Sequence, residues 1–328
     1  MRRPKDIIST IGSYEKSRII LTACELDLFT QIHQGPTSAK EITQSNGLNY
    51  TATRRLLDCL VTFGLVSKKK DRYTATTGGT LLSGNNPENI LPVVKTMNKS
   101  WHNWHNLTEI VRKGRHFQTE SKENEKEGVE KDFIELMHFL GQELSSEIAA
   151  SYNLIPFNRM LDIGGASGTY TISFLKRNPE MKATLFDLEA VLPLAEIRLR
   201  SEGLLDRVEL RGGNYNKDEL PEGYDLVLVS DLIGQNTNEQ NVSLFKKIHN
   251  SLTSDGVLLI RDFVMDETHT SPEPGALFSM LMLVETQGVG AYSFLEFKSV
   301  LEKAGFSDPK LVKKGQKKDS LIEARKST

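Results

Sequence analysis

The chain has 328 residues, of which 38% are hydrophobic and 26% charged, and its formal net charge is −2. This composition is typical of a globular protein with a substantial core, and the length favours about two domains. The near-neutral charge gives no reason to expect nucleic acid as a partner. No apolar run is long enough to span a membrane, and the amino terminus lacks an apolar signal core. We therefore expect a cytoplasmic protein without a membrane partner.

The chain has two cysteines, Cys24 and Cys59. Both lie in apolar helical patterns, and their spacing matches no metal-binding or redox motif. We expect buried thiols in a reducing compartment, and no metal site.

Residues 1–90 predict an N-terminal all-helical domain of the winged-helix type, which would use a short wing of extended chain. Ser38 with Glu41 forms a capping box, which starts one helix. Asn49 is suited to cap the next, predicted over residues 50–63.

A basic turn at residues 68–71 joins two extended stretches, which we interpret as a two-stranded wing. A winged helix either binds DNA or serves as a dimerisation platform. Arg54 and Arg55 lie on the helix that would enter DNA, but the acidic balance of the chain and the lack of a broader basic face favour dimerisation.

Residues 91–155 predict a helical connector that contributes to a substrate pocket. From residue 156 to 328, strand and helix patterns alternate, which favours an α/β fold with a doubly wound, mostly parallel sheet of the Rossmann-like kind.

Residues 160–170 form the most informative segment, an apolar strand that leads through a glycine-rich turn into a helix. Gly164, Gly165 and Gly168 allow a ligand to approach the backbone closely. Their spacing is not the G-x-G-x-x-G of dinucleotide-binding folds. Asp162 precedes them, and its charge suits the cationic end of a ligand better than phosphates.

A second apolar strand ends on Asp187, whose carboxylate can accept hydrogen bonds from ribose hydroxyls. The glycine turn and this acid resemble motif I of class I S-adenosylmethionine-dependent methyltransferases. Ligands of an open α/β sheet bind outside the carboxyl ends of its strands. The residues that we expect there to bind the cofactor are Asp162, Gly164, Gly165, Gly168, Asp187, Leu188, Asn214, Tyr215 and Ser230.

Three of these residues are expected to surround the adenine. Asn214 can bond its exocyclic amine, Tyr215 can pack on one face of the ring, and Leu188 can cover the other.

The resemblance extends over the whole chain. Its three parts are similar to the O-methyltransferase family that includes caffeate and acetylserotonin methyltransferases, and residues 261–266, 282–284 and 291–294 are similar to a bacterial branch. The resemblance implies methyl transfer from S-adenosylmethionine, with S-adenosylhomocysteine as product. It also implies a homodimer in which the amino-terminal domain lends residues to the partner's active site.

The chain departs from this family at the acceptor side. Members usually place a histidine just past the fourth strand as general base, and here Gly234 occupies that position. The second catalytic acid of the plant enzymes falls at Ala291. Neither residue can move a proton.

Three interpretations remain open. The acceptor is an already acidic hydroxyl or a carbon nucleophile that needs no strong base. Alternatively, a nearby carboxylate substitutes for the histidine: Asp231, Asp262 or Glu285. Otherwise methyl transfer has been lost, and the protein binds a ligand, regulates or catalyses another reaction.

We favour retained methyl transfer to a small-molecule acceptor, a hydroxyl of an aromatic or polyketide-like compound. Asp231 and Asp262 are the predicted catalytic residues. The sequence does not distinguish transfer to oxygen from transfer to carbon or nitrogen.

Overall fold

The structure is a computed structural model in which residues 3–114 and 131–326 are described. The chain forms two compact units, Met1–Trp101 and His102–Thr328. The domain boundaries predicted at residues 90 and 155 stay predictions, and part of the predicted connector lies outside the described residues.

The first unit consists of helices joined by short turns, with three short strands. Its helices are α1 (Pro4–Gly12), α2 (Tyr14–Glu25), α3 (Leu28–His33), α4 (Ala39–Asn46), α5 (Tyr50–Thr62), α6 (Thr77–Thr80) and α7 (Leu91–Trp104), the last of which ends just beyond the unit. Its strands are β1 (Thr37–Ser38), β2 (Val66–Lys69) and β3 (Arg72–Ala75). The capping box at the start of α4 and the Asn49 cap of α5 are confirmed.

The expected two-stranded wing is confirmed, because β2 pairs with β3 in an antiparallel register. The domain is not purely helical, however, since it contains three short strands. They form a three-stranded sheet in the order β1-β3-β2, in which Thr37 and Ser38 pair with Tyr73 and Arg72. Two residues are too few to show the alternating pattern by which a strand is recognised. Ser38 is extended there because it also caps α4.

The second unit alternates helices with strands. Its helices are α8 (Leu107–Lys113), α9 (Lys131–Ser151), α10 (Thr169–Arg177), α11 (Leu192–Ser201), α12 (Asn238–Ser251), α13 (Glu273–Glu285) and α14 (Phe294–Lys303). Its strands are β4 (Arg159–Ile163), β5 (Lys182–Asp187), β6 (Val208–Gly212), β7 (Tyr224–Ser230), β8 (Leu252–Asp262), β9 (Phe306–Lys313) and β10 (Ser320–Lys326).

These strands form one sheet in the order β6-β5-β4-β7-β8-β10-β9. The first five are parallel to one another, and β10 is antiparallel to both of its neighbours. Helices α9, α10 and α11 contribute to the core on one face of this sheet, and α12 and α14 to the core on the other. The predicted Rossmann-like, mostly parallel fold is confirmed.

The carboxyl ends of the parallel strands meet at one edge of the sheet. The antiparallel strand β10 begins at that same edge, because Ser320 pairs with Asp262, the last residue of β8. The loop that precedes β10 therefore lies beside the ends of β7 and β8.

Across the described residues, the helices include none long and apolar enough to cross a membrane.

Candidate active site

The turn between β4 and α10 is held in a conformation that needs glycine. Gly164 and Gly168 have φ angles of 66° and 80°, which side-chain-bearing residues rarely adopt. A Cβ on Gly165 would lie 2.7 Å from Cγ of Leu185 and 3.0 Å from Oδ2 of Asp162. The backbone of this turn therefore lies directly against strand β5 and against Asp162, the acid that precedes the turn.

Asp187 connects the end of β5 to the glycine turn. Its Oδ2 accepts a hydrogen bond from Ala166 N at 2.8 Å, and its Oδ1 accepts one from Leu188 N at 2.7 Å. Burial raises the pKa of this carboxyl, and the two amide hydrogen bonds oppose that rise. Each carboxylate oxygen retains a lone pair for a further donor.

Asp162 lies beneath the same turn and is 1% exposed. Its Oδ2 accepts a hydrogen bond from the Thr171 hydroxyl at 2.5 Å, while its Oδ1 has no partner among the described residues. Burial raises its pKa to about 6, and the nearby charge of Asp187 adds to the rise. An unpartnered buried carboxylate oxygen is costly unless a donor reaches it.

The segment after β6 is hydrogen-bonded to the end of β5 and to the 3₁₀ turn that follows β7. Gly213 N donates to the carbonyl of Asp187 at 2.9 Å. The Tyr215 hydroxyl donates to Oδ1 of Asn236 at 3.3 Å and accepts from Gln235 Nε2 at 3.0 Å. The Tyr215 hydroxyl is thus fixed against residues 235–236, which follow β7.

Asn214 is partly used by its own turn. Its Oδ1 accepts from Asn216 N at 2.9 Å, and its backbone N–H donates to Asp218 at 2.7 Å. The side-chain oxygen keeps one lone pair for a ligand.

The ends of β7 and β8 carry a buried group of charges. Arg261 Nε donates to the Ser230 hydroxyl at 2.9 Å, and its Nη2 lies 3.7 Å from Oδ2 of Asp231. Lys318, in the loop before β10, donates to Oδ1 of Asp231. Both oxygens of Asp231 are therefore engaged by cations, and Ser230 supports one of those cations.

Asp262 belongs to the same group but is differently placed. It is 3% exposed, its Oδ1 accepts from Phe263 N at 2.8 Å, and its Oδ2 has no partner among the described residues. Burial and the charge of Asp231 raise its pKa, while Lys318 and Arg261 oppose the rise. Glu285, the third acid considered, accepts from Asn103 Nδ2 at 2.5 Å at the end of α13.

Gly234 lies in a 3₁₀ turn that is covered by the chain after α13. Its carbonyl accepts from Gly290 N at 3.0 Å. A Cβ on it would lie 2.6 Å from Cε1 of Phe278 and 3.0 Å from the Gly290 carbonyl. Ala291 is buried, and its N–H donates to the Ser279 hydroxyl at 2.9 Å.

Three residues of this edge were not predicted from the sequence as part of the site: Arg261, Phe278 and Lys318. Arg261 gave a usable signal, since a charge inside the apolar strand 257–262 must find partners. Lys318 gave none, because it belongs to a lysine-rich run that is most simply a solvated loop.

The described residues at this edge suit a ligand with hydroxyl groups and a cationic end. Two carboxylates, Asp162 and Asp187, flank the glycine turn, and the first has an oxygen without a donor. Carboxylates repel a pyrophosphate and attract a sulfonium or an ammonium group.

Comparison with known families gives two matches along the chain. A sequence model of the O-methyltransferase domain matches residues 104–307, and one of the O-methyltransferase dimerisation domain matches residues 8–84.

Two relatives come from Streptomyces. A 3-hydroxy-5-methyl-1-naphthoate 3-O-methyltransferase of Streptomyces sahachiroi is 28% identical over 91% of this chain and 88% of its own length. A tetracenomycin polyketide synthesis 8-O-methyl transferase of Streptomyces glaucescens is 27% identical over 94% of this chain and 93% of its own length.

Among solved structures, human N-acetylserotonin methyltransferase in complex with S-adenosylmethionine has the same fold. The TM-score is 0.80 at 23% identity, with 99% of this chain and 97% of that chain covered.

Proposed function

The chain belongs to the O-methyltransferase family, and we propose that it methylates a hydroxyl of an aromatic or polyketide-like small molecule. The proposal rests on one observation, the match of residues 104–307 to the O-methyltransferase domain. These residues contain the carboxyl ends of all five parallel strands of the large sheet. The relatives named for a naphthoate and for tetracenomycin support the choice of acceptor. They give no support to the alternative of a protein that has lost methyl transfer.

S-adenosylmethionine is the methyl donor of this enzyme. When bound, it supplies a methyl group that a sulfonium makes electrophilic. We propose that Asp187 accepts hydrogen bonds from the ribose, since each of its oxygens keeps a lone pair after bonding Ala166 and Leu188. The backbone of Gly164, Gly165 and Gly168 would border the ligand, and Asp162 would attract its cationic end.

The adenine is assigned to the space between the ends of β5 and β6. Tyr215 is oriented by hydrogen bonds to Gln235 and Asn236, so it can offer a fixed ring face. Leu188 would cover the opposite face, and the free lone pair of the Asn214 oxygen would accept from the exocyclic amine.

Of the two predicted catalytic acids, Asp262 is better suited to take the acceptor's proton. Its pKa is raised by burial and its Oδ2 has no partner among the described residues. Both oxygens of Asp231 are engaged by Lys318 and Arg261, so we assign Asp231 a positioning role, with Ser230 holding Arg261.

Residues 8–84 match a dimerisation domain, which supports a homodimer. We also propose that the protein is cytoplasmic, because Cys24 and Cys59 are free thiols in the structure.

Calorimetric titration with S-adenosylhomocysteine tests the cofactor site. We expect binding with a dissociation constant well below millimolar, and no detectable binding would contradict the proposal. Incubation of hydroxylated aromatic compounds with methyl-labelled S-adenosylmethionine then tests transfer, with the label expected on an acceptor oxygen.

A further inference from the structure

At Gly234, the position where the family has its histidine, an aromatic ring fills the space of a side chain. The ammonium group of a lysine lies over the face of that ring. Phe278 covers Gly234, and Nζ of Lys318 lies 3.5 Å from the centroid of the Phe278 ring. The same ammonium lies 5.5 Å from the centroid of Phe263. A cation over the face of an aromatic ring is attracted by the negative charge density of that face. Lys318 is therefore held on the acceptor side of the sheet edge.

The ammonium of Lys318 has more N–H groups than its hydrogen bond to Asp231 uses. It carries three N–H groups, and within residues 3–114 and 131–326 the one hydrogen-bond acceptor recorded for it is Asp231. Its side chain is 17% exposed, so water satisfies the remaining donors only in part. Asp231 also lies 3.7 Å from Arg261, which would still balance its charge if Lys318 turned toward a ligand.

Asp262, the available base, is too weak to act without a hydrogen-bond donor such as Lys318. A carboxylate, even one with a raised pKa like Asp262, is far too weak to deprotonate a phenol of pKa about 10 efficiently. An ammonium beside the acceptor oxygen favours its anionic form and lowers the pKa of the acceptor hydroxyl. The charged groups around this position are Lys318, Asp231, Arg261 and Asp262. The guanidinium of Arg261 also lies over the Tyr170 ring.

We propose that Lys318 binds the acceptor oxygen as an anion, and that the acceptor is a hydroxyl made acidic by a conjugated carbonyl group. This inference rests on the proposed function. The acceptor's proton goes to Asp262 or is already lost. The oxygen lone pair then forms the O–CH₃ bond while the S–CH₃ bond breaks with its electrons on sulfur, so a sulfonium and an oxyanion become a thioether and an ether.

The test uses a hydroxyanthraquinone probe, whose anion absorbs at longer wavelength than its neutral form. It is titrated with base in the presence of each protein saturated with S-adenosylhomocysteine. We expect the wild type to lower the probe's pKa by about one unit or more, which is about tenfold tighter binding of the anion. Lys318→Met should abolish the shift, and Lys318→Arg should retain most of it.

Lys317→Met is the matched control, since it removes the same charge from an exposed neighbour in the loop, and it should leave the shift unchanged. Any of three results would overturn the proposal. The wild type leaves the probe's pKa unshifted or raises it, Lys318→Met shifts it as much as the wild type does, or the probe does not bind. The wild-type result decides alone if Lys318→Met fails to fold. If the wild type does not bind S-adenosylhomocysteine, the proposed function fails; if it does and the probe is unshifted, only this inference fails.

Discussion

The phenyl ring of Phe278 occupies the space that any side chain on Gly234 would need. The ring's Cε1 lies 2.6 Å from the position of an added Cβ, and the Gly290 carbonyl lies 3.0 Å from it. A larger side chain at position 234 therefore requires Phe278 and the chain around Gly290 to shift.

A Gly234→Ala variant tests this packing. We expect its free energy of unfolding to fall by about 1–3 kcal/mol, the usual cost of overpacking, because Phe278 and the chain around Gly290 must shift. Gly234→His should cost more and should not supply a working base. Thermal denaturation measures both. Gly78→Ala is the control, since Gly78 is exposed and an added methyl there meets its nearest atom at 3.8 Å, an ordinary contact distance. A Gly234→Ala protein as stable as the wild type would contradict the account.

An Asp187→Asn variant tests the cofactor side. The amide has one acceptor oxygen where the carboxylate has two, so either Ala166 N or Leu188 N loses its partner and the ribose loses a charged acceptor. We expect affinity for S-adenosylhomocysteine to fall at least about tenfold, which is about 1.4 kcal/mol. Calorimetry gives the value, with the exposed Asp206→Asn as control. Equal affinity in both variants would show that Asp187 does not hold the ribose.

The buried carboxyl of Asp162 predicts a pH dependence of stability. Its pKa is about 6 in the folded protein and 3.8 as the ordinary value, so the folded state binds the proton more tightly. Stability from this group is thus fully present below pH 3.8 and is lost as pH rises to about 6. The loss is on the order of 3 kcal/mol, from about two units of pKa.

Denaturant unfolding of the wild type and of Asp162→Asn between pH 4 and 7 measures this effect. We expect the variant to gain stability relative to the wild type as pH rises through that window, because the amide carries no charge to bury. A constant difference across the window would exclude an ionisable Asp162 as the cause.

Helix α1 predicts where the homodimer forms. It contributes no buried residue, and Ile8 and Ile11 are 68% and 69% exposed. We expect the double variant Ile8→Asp/Ile11→Asp to be monomeric by light scattering after size exclusion, because charges would replace an apolar contact with the second copy. Ile197→Asp is the control, since Ile197 is 67% exposed on α11. A dimeric double variant would exclude α1 from the interface.

The sequence predicted those features that depend on a few consecutive residues. The glycine turn, the acids at strand ends and the helix caps each follow from a local pattern, and the alternation of strands and helices indicated a mostly parallel sheet. The pair of Lys318 and Asp231 could not be predicted, because 87 residues separate them and only the antiparallel strand β10 brings them together. The cover of Gly234 by Phe278 depends likewise on how the chain folds back after α13, which leaves no periodic signal.

The most direct test of the account is a crystal structure of the protein with S-adenosylhomocysteine. We predict the ribose hydroxyls within hydrogen-bonding distance of the Asp187 carboxylate, the glycine turn along the ligand and the sulfur facing the group of Lys318, Asp231 and Asp262. A ligand bound elsewhere, or a sulfur that faces away from these charges, would contradict it.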